Sequence, residues 1–110
     1  MTFLDLWEGT CVKDSPSRVL PTYIKGLSNL TPAVCIKACK AKKFRYAGVQ
    51  FANECFCGND APDTRIAPMN ECNIYCPGDW SVPCGGYWRM NVFHTHSMIH
   101  YIFHSYRNDY

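Results

Sequence analysis

The stretch Thr31–Cys57, TPAVCIKACKAKKFRYAGVQFANECFC, decides the fold. Thr31 before Pro32 reads as a helix start: the hydroxyl accepts from an otherwise unpaired N–H, and proline at the first helical position gives up no hydrogen bond. A helix is expected from Pro32 to Lys42. At 3.6 residues per turn Cys35 and Cys39 share a face with Ala38, while Lys37 and Lys40 point away, so the cysteine face is the buried one. Tyr46–Phe51 and Glu54–Cys57 then read as two strands joined by a tight turn at Ala52-Asn53, which puts Cys55 and Cys57 on one face. Four helical residues rise about 6 Å and two strand residues about 6.6 Å, so the two cysteine pairs match as rungs of a ladder. Helix and hairpin can be stapled twice, as Cys35–Cys55 with Cys39–Cys57 or crossed; strand direction decides, and the spacing leaves both open.

Outward from that stretch, 110 residues make one domain with one core. Eight cysteines in that length, an even number, point to an oxidising compartment and hence to an extracellular or cell-surface location. Zinc is the rival: Cys35-x3-Cys39 and Cys72-x3-Cys76 approach knuckle spacing, but Cys55-x-Cys57 fits poorly, and a sequon argues for secretion, so no metal is expected. A net charge of +2 gives no electrostatic case for nucleic acid. No run approaches the roughly 20 apolar residues of a membrane span. Met1–Leu6 carries an acid and no basic region, unlike a signal peptide, so a fragment or an incomplete gene model is expected.

Gly58 to Gly86 is rich in Pro, Asp, Asn and Gly without periodicity and reads as an ordered loop held by the remaining cysteines. Trp88–Phe93 reads as a closing strand. Asn29-Leu30-Thr31 is a glycosylation sequon at the helix start. The run Lys37, Lys40, Lys42, Lys43, Arg45 would suit sulfated glycans, although a solvated face near a helix C-terminus explains it more simply. The histidines fall at His94, His96, His100 and His104. As a helix the last three would share a metal-holding face, but an extension outside the fold is the simpler reading of residues 94–110.

The chain resembles a WSC domain. Cys11-Val-Lys-Asp14, Arg18-Val-Leu-Pro21 and Leu30-Thr31-Pro32 leading to Cys35-x3-Cys39 match its first half. Tyr46–Phe51, Glu54-Cys55-Phe56-Cys57-Gly58-Asn59, Glu71-Cys72-Asn73-x2-Cys76-x-Gly78-Asp79 and Cys84-Gly85-Gly86 match its second half in order and spacing. The likeness spans residues 7–93, with 1–6 as an N-terminal extension and Trp7-Glu8-Gly9-Thr10 standing where family members usually have Tyr-x-Gly. It implies a small disulfide-rich, PAN/apple-like α+β fold, one helix on a short antiparallel sheet, with disulfides Cys11–Cys72, Cys35–Cys55, Cys39–Cys57 and Cys76–Cys84. It also implies a module that binds a polysaccharide or other glycan. Such domains occur in cell-wall stress sensors, Kremen-type receptors and some glycosyl- and sulfotransferases.

Sugar rings stack their C–H faces on exposed aromatics while carboxylates and amides bond the hydroxyls. Trp80, in the polar stretch Gly78-Asp79-Trp80-Ser81, is the foremost platform and Tyr87 the second, with Asp79, Asn59 and Asp60 as the nearest polar partners in sequence. The alternative is that Trp80 packs over a Cys76–Cys84 bridge and Tyr87 lies on the core. Trp88, Phe51, Phe56 and Tyr46 fit strands and read as core. No nucleophile elbow, phosphate loop or recognisable pair of carboxylates is present, so neither an enzyme nor a cofactor is expected. The other class of function is a protein-interaction module, for which a broad apolar patch would speak.

Overall fold

The structure, a computed structural model, describes residues 7–62 and 65–96. In chain order the elements are β1 (Glu8–Lys13), β2 (Thr22–Ile24), α1 (Pro32–Ala41), β3 (Tyr46–Gln50), β4 (Glu54–Gly58), β5 (Tyr75–Cys76), β6 (Asp79–Pro83) and β7 (Arg89–His94). Five strands form an antiparallel sheet in the order β1-β7-β3-β4-β2, and β5 and β6 form a separate hairpin. The fold is α+β, one helix on antiparallel sheet, as expected.

Thr31 caps α1, its Oγ1 accepting from Val34 N at 3.2 Å, and Pro32 opens the helix. The buried face carries Cys35, Ile36 and Cys39; Ile36, rather than Ala38, completes it. Opposite lie Ala47 and Val49 of β3, Cys55 and Cys57 of β4, and Phe93 of β7. The far side of the sheet is covered too, by Trp7, Val12, Leu20, Tyr46, Phe56, Met90 and Val92. Every β3 residue is therefore buried, as in a strand covered on both faces. Gly48 fits this layer because any side chain there would collide with Met90 and Leu20.

All eight cysteines are paired, Cys11–Cys72, Cys35–Cys55, Cys39–Cys57 and Cys76–Cys84, with Cα separations of 5.9, 5.5, 5.4 and 4.9 Å. Since Cys35 pairs with Cys55 and Cys39 with Cys57, α1 runs parallel to β4, which removes the crossed alternative. The edge of β1 is covered by the segment that follows residue 64: Lys13 N donates to Arg65 O and Ala67 N to Cys11 O. That covering blunts an otherwise open strand edge.

Three local expectations change. The stretch Gly58–Gly86 is not all loop, because it contains the β5–β6 hairpin, and Trp80 lies on β6. Phe51 leaves the strand and opens the β3–β4 turn. The closing strand runs past Phe93 to His94, and Thr95 is buried, its Oγ1 donating toward Phe44 O at 2.7 Å. His100 and His104 lie outside the described residues.

Candidate ligand-binding site

Two turns meet at one end of the sheet. In the first, Phe51 and Ala52 both adopt left-handed backbone, with φ of 52° and 71°, and Ala52 N donates to Cys84 O at 3.0 Å. Non-glycine residues take this conformation at a cost, and here the turn holds the Phe51 ring half in solvent, 50% exposed. In the second, Gly86 and Arg89 exchange backbone hydrogen bonds of 2.8 and 3.2 Å, so Tyr87 and Trp88 form a two-residue tip. Trp88 is again left-handed, with φ of 53°. Tyr87 is 74% exposed. Its ring centroid lies 6.2 Å from that of Phe51 and 6.4 Å from that of Trp88, both edge-on.

Arg18 backs this cluster. Its guanidinium sits 4.8 Å from the Trp88 ring centre and 5.1 Å from that of Phe56, and it donates to Asp14 Oδ2 at 2.8 Å. The other Asp14 oxygen accepts from Val19 N, and Asp14 N donates to Trp88 O. Asp14 thereby fixes both the cation, through its carboxylate, and the turn the cation lies on, through its backbone N–H. Gly85 must be glycine, because its left-handed backbone lies against Gln50 and Val49. Asn91 locks the same segment, its Oδ1 accepting from Gly85 N and its Nδ2 donating to Gly9 O.

The result is a cleft of about 270 Å³ lined by Arg18, Gln50, Phe51, Glu54, Tyr87 and Trp88. Gln50 is 3% exposed, and its Oε1 has no hydrogen-bond partner among the described residues. A buried acceptor left unpaired costs about 1–3 kcal/mol. Sequence reasoning singled out neither Gln50 nor Glu54; strand alternation places Gln50 on the Tyr46 and Gly48 face, but nothing in a sequence marks an acceptor as unpaired.

The expected site residues do not converge on one point. Tyr87 lines the cleft, whereas Trp80 and Asp79 belong to the β5–β6 hairpin, whose turn is docked on the start of α1 by a 3.0 Å hydrogen bond from Gly78 N to Leu30 O. Trp80 is 81% exposed, which rules out packing over the Cys76–Cys84 bridge. Asp79 Oδ1 accepts from Ser81 N at 3.0 Å and Ser81 Oγ at 2.6 Å. Asn59 and Asp60 follow β4 at the end remote from Glu54, a strand length of about 13 Å away. Asn59 Oδ1 there accepts from Arg45 N, tying the two ends of the hairpin. Of the aromatics expected in the core, Tyr46 and Phe56 are buried, but Phe51 and Trp88 line the cleft instead.

Asn29 is exposed with left-handed backbone, but the Thr31 hydroxyl of its sequon is engaged as the helix cap. The basic side chains Lys37, Lys40, Lys42, Lys43 and Arg45 are all exposed. His94 stands edge-on to Tyr46, and its Nδ1 accepts from His96 N. Burial, then the neighbouring His96 and Arg45, hold its pKa below the ordinary 6.5.

A family model described as WSC domain matches residues 9–86, well over half of the chain. Xylosyltransferase oxt of Drosophila melanogaster is 38% identical over 88 residues, covering 77% of this chain and 10% of that protein. Kremen protein 1 of Homo sapiens is 38% identical over 88 residues, covering 77% of this chain and 19% of that protein. A WSC domain-containing protein of Arthroderma benhamiae is 34% identical over 85 residues, covering 76% and 12%. The chain spans a fifth or less of these curated relatives.

Proposed function

The chain belongs to the WSC domain family, and we propose that it is an extracellular, non-catalytic carbohydrate-binding module recognising a polysaccharide or glycan. The observation that carries this is Trp80: a tryptophan 81% exposed on a disulfide-closed hairpin, next in sequence to Asp79. Large aromatics so exposed mark contact surfaces, and an indole offers a flat face to the axial C–H groups of a pyranose. The name of one relative, a xylosyltransferase, places such a domain in a protein that handles a sugar. All eight cysteines in disulfides support secretion or surface display of the parent chain. Asn29 is the expected glycan attachment point; with the Thr31 hydroxyl engaged after folding, attachment belongs to the unfolded chain.

A protein-interaction module is the second reading, favoured by Ile66 and Met69, which stand exposed in the segment covering β1. The test is Trp80→Ala. Binding to insoluble β-glucan or chitin is expected to weaken by about 2 kcal/mol, roughly thirtyfold, with the melting temperature unchanged. Unchanged binding rejects the platform.

A further inference from the structure

Two charged side chains stand in the walls of the Tyr87 cleft, apart from the Trp80 hairpin. Arg18 gives Nη1 to Asp14 and lays its guanidinium over the Trp88 and Phe56 rings; it makes no other hydrogen bond among the described residues, and its side chain is 35% exposed. The Glu54 carboxylate has neither hydrogen bond nor ion pair among the described residues, and neither of its oxygens is shut off from solvent. The two charges do not pair with each other. Gln50 Oε1, by contrast, is sealed within the wall and offers a ligand nothing.

These walls select a ligand by what they can bond. A guanidinium only donates and a carboxylate only accepts. An acidic group brings no proton for Glu54 and a charge like its own, and because Asp14 already compensates Arg18, that repulsion is not offset. An ammonium brings no lone pair for Arg18. A hydroxyl both donates and accepts, so neighbouring hydroxyls of an uncharged pyranose can serve Glu54 and Arg18 together. The exposed rings of Tyr87 and Phe51 offer apolar surface to its C–H groups. The volume, just under the range of about 300–1,000 Å³ typical of small-molecule sites, suits one sugar unit.

We infer that this cleft is a second subsite, specific for an uncharged sugar unit, with Glu54 accepting from its hydroxyls, Arg18 donating to them, and Tyr87 and Phe51 packing on the ring. The inference rests on the carbohydrate-binding reading and names the class of sugar. The chain's net charge of +2 would by itself draw acidic glycans, so a preference for neutral ones has to come from the site.

The oxidised domain is titrated with oligomers of β-1,3-glucan, β-1,4-glucan and chitin, each beside the same oligomer oxidised at C6 to the carboxylate. The indole N–H resonance of Trp88 reports the cleft and that of Trp80 the hairpin. Near-physiological salt screens charges beyond about 8 Å. A neutral oligomer is expected to shift Trp88 with an affinity about fivefold or more above that of its acidic counterpart. Glu54→Gln should weaken the neutral ligand by about fivefold and bring the two within about twofold of each other, since a neutral acceptor replaces a charged one. Glu54→Lys should reverse the preference, and Trp80→Ala should leave it intact. Neutral oligomers that shift Trp80 but not Trp88, or a preference indifferent to Glu54, overturn the inference and leave carbohydrate binding at the hairpin standing. Shifts of neither resonance by any oligomer overturn both.

Discussion

Asp14 holds three things at once: the Arg18 guanidinium, the N–H of Val19 and, through its own backbone, Trp88. Its side chain is fully buried while that of Arg18 is 35% exposed, so Arg18 left alone can rehydrate. Asp14→Ala should therefore cost about 1–3 kcal/mol, short of the roughly 3–5 kcal/mol for a fully buried pair, and chemical denaturation reads it directly. The change should also free Arg18 from its place over the Trp88 ring, seen as altered tryptophan fluorescence. His94 gives a pH dependence. Its folded pKa is depressed, so the unfolded chain binds the proton more readily. Its contribution is complete above pH 6.5 and is lost as pH falls below that value toward the folded pKa. The melting temperature should fall modestly from pH 7 to pH 5, and His94→Asn should flatten that slope; an unchanged slope counts against it.

Among the elements, the disulfides differ in what they constrain. Cys11–Cys72 spans 61 residues of sequence and Cys76–Cys84 only 8. Loop-closure entropy assigns them about 4 and about 2.5 kcal/mol, so replacing the first pair by serine should lower stability more, by over 1 kcal/mol. Replacing the second should instead release the Trp80 hairpin and weaken glycan binding. Helix α1 and the β3–β4 hairpin were legible because their signals are local: a Thr-Pro start and two cysteine spacings that match. Strand β1 was not, since its partner β7 lies at the other end of the domain and only long-range pairs such as Asn91 with Gly9 reveal it. The β5–β6 hairpin was hidden by Pro77, Gly78 and Pro83. Phe51 and Trp88 were misread as core because strand alternation assigns a face, while a left-handed turn without glycine leaves no mark in sequence.

At the scale of the molecule, four disulfides and a sheet covered on both faces make a rigid support for aromatic groups that point outward. The exposure of Trp80 was legible from its polar neighbours; the place of Tyr87 in a separate cleft was not, because it depends on how the segment Cys84–Gly86 is pinned to Gln50 and Asn91. Preorganisation lowers the entropy lost on binding, so a small rigid module can recognise a glycan with few contacts. The most direct test is a glycan array probed with the oxidised domain and with a Trp80→Ala, Tyr87→Ala double variant of equal melting temperature. The expected result is binding to a restricted set of glycans that the double variant loses; no binding by the folded wild-type domain, or binding that the double variant retains, contradicts the account.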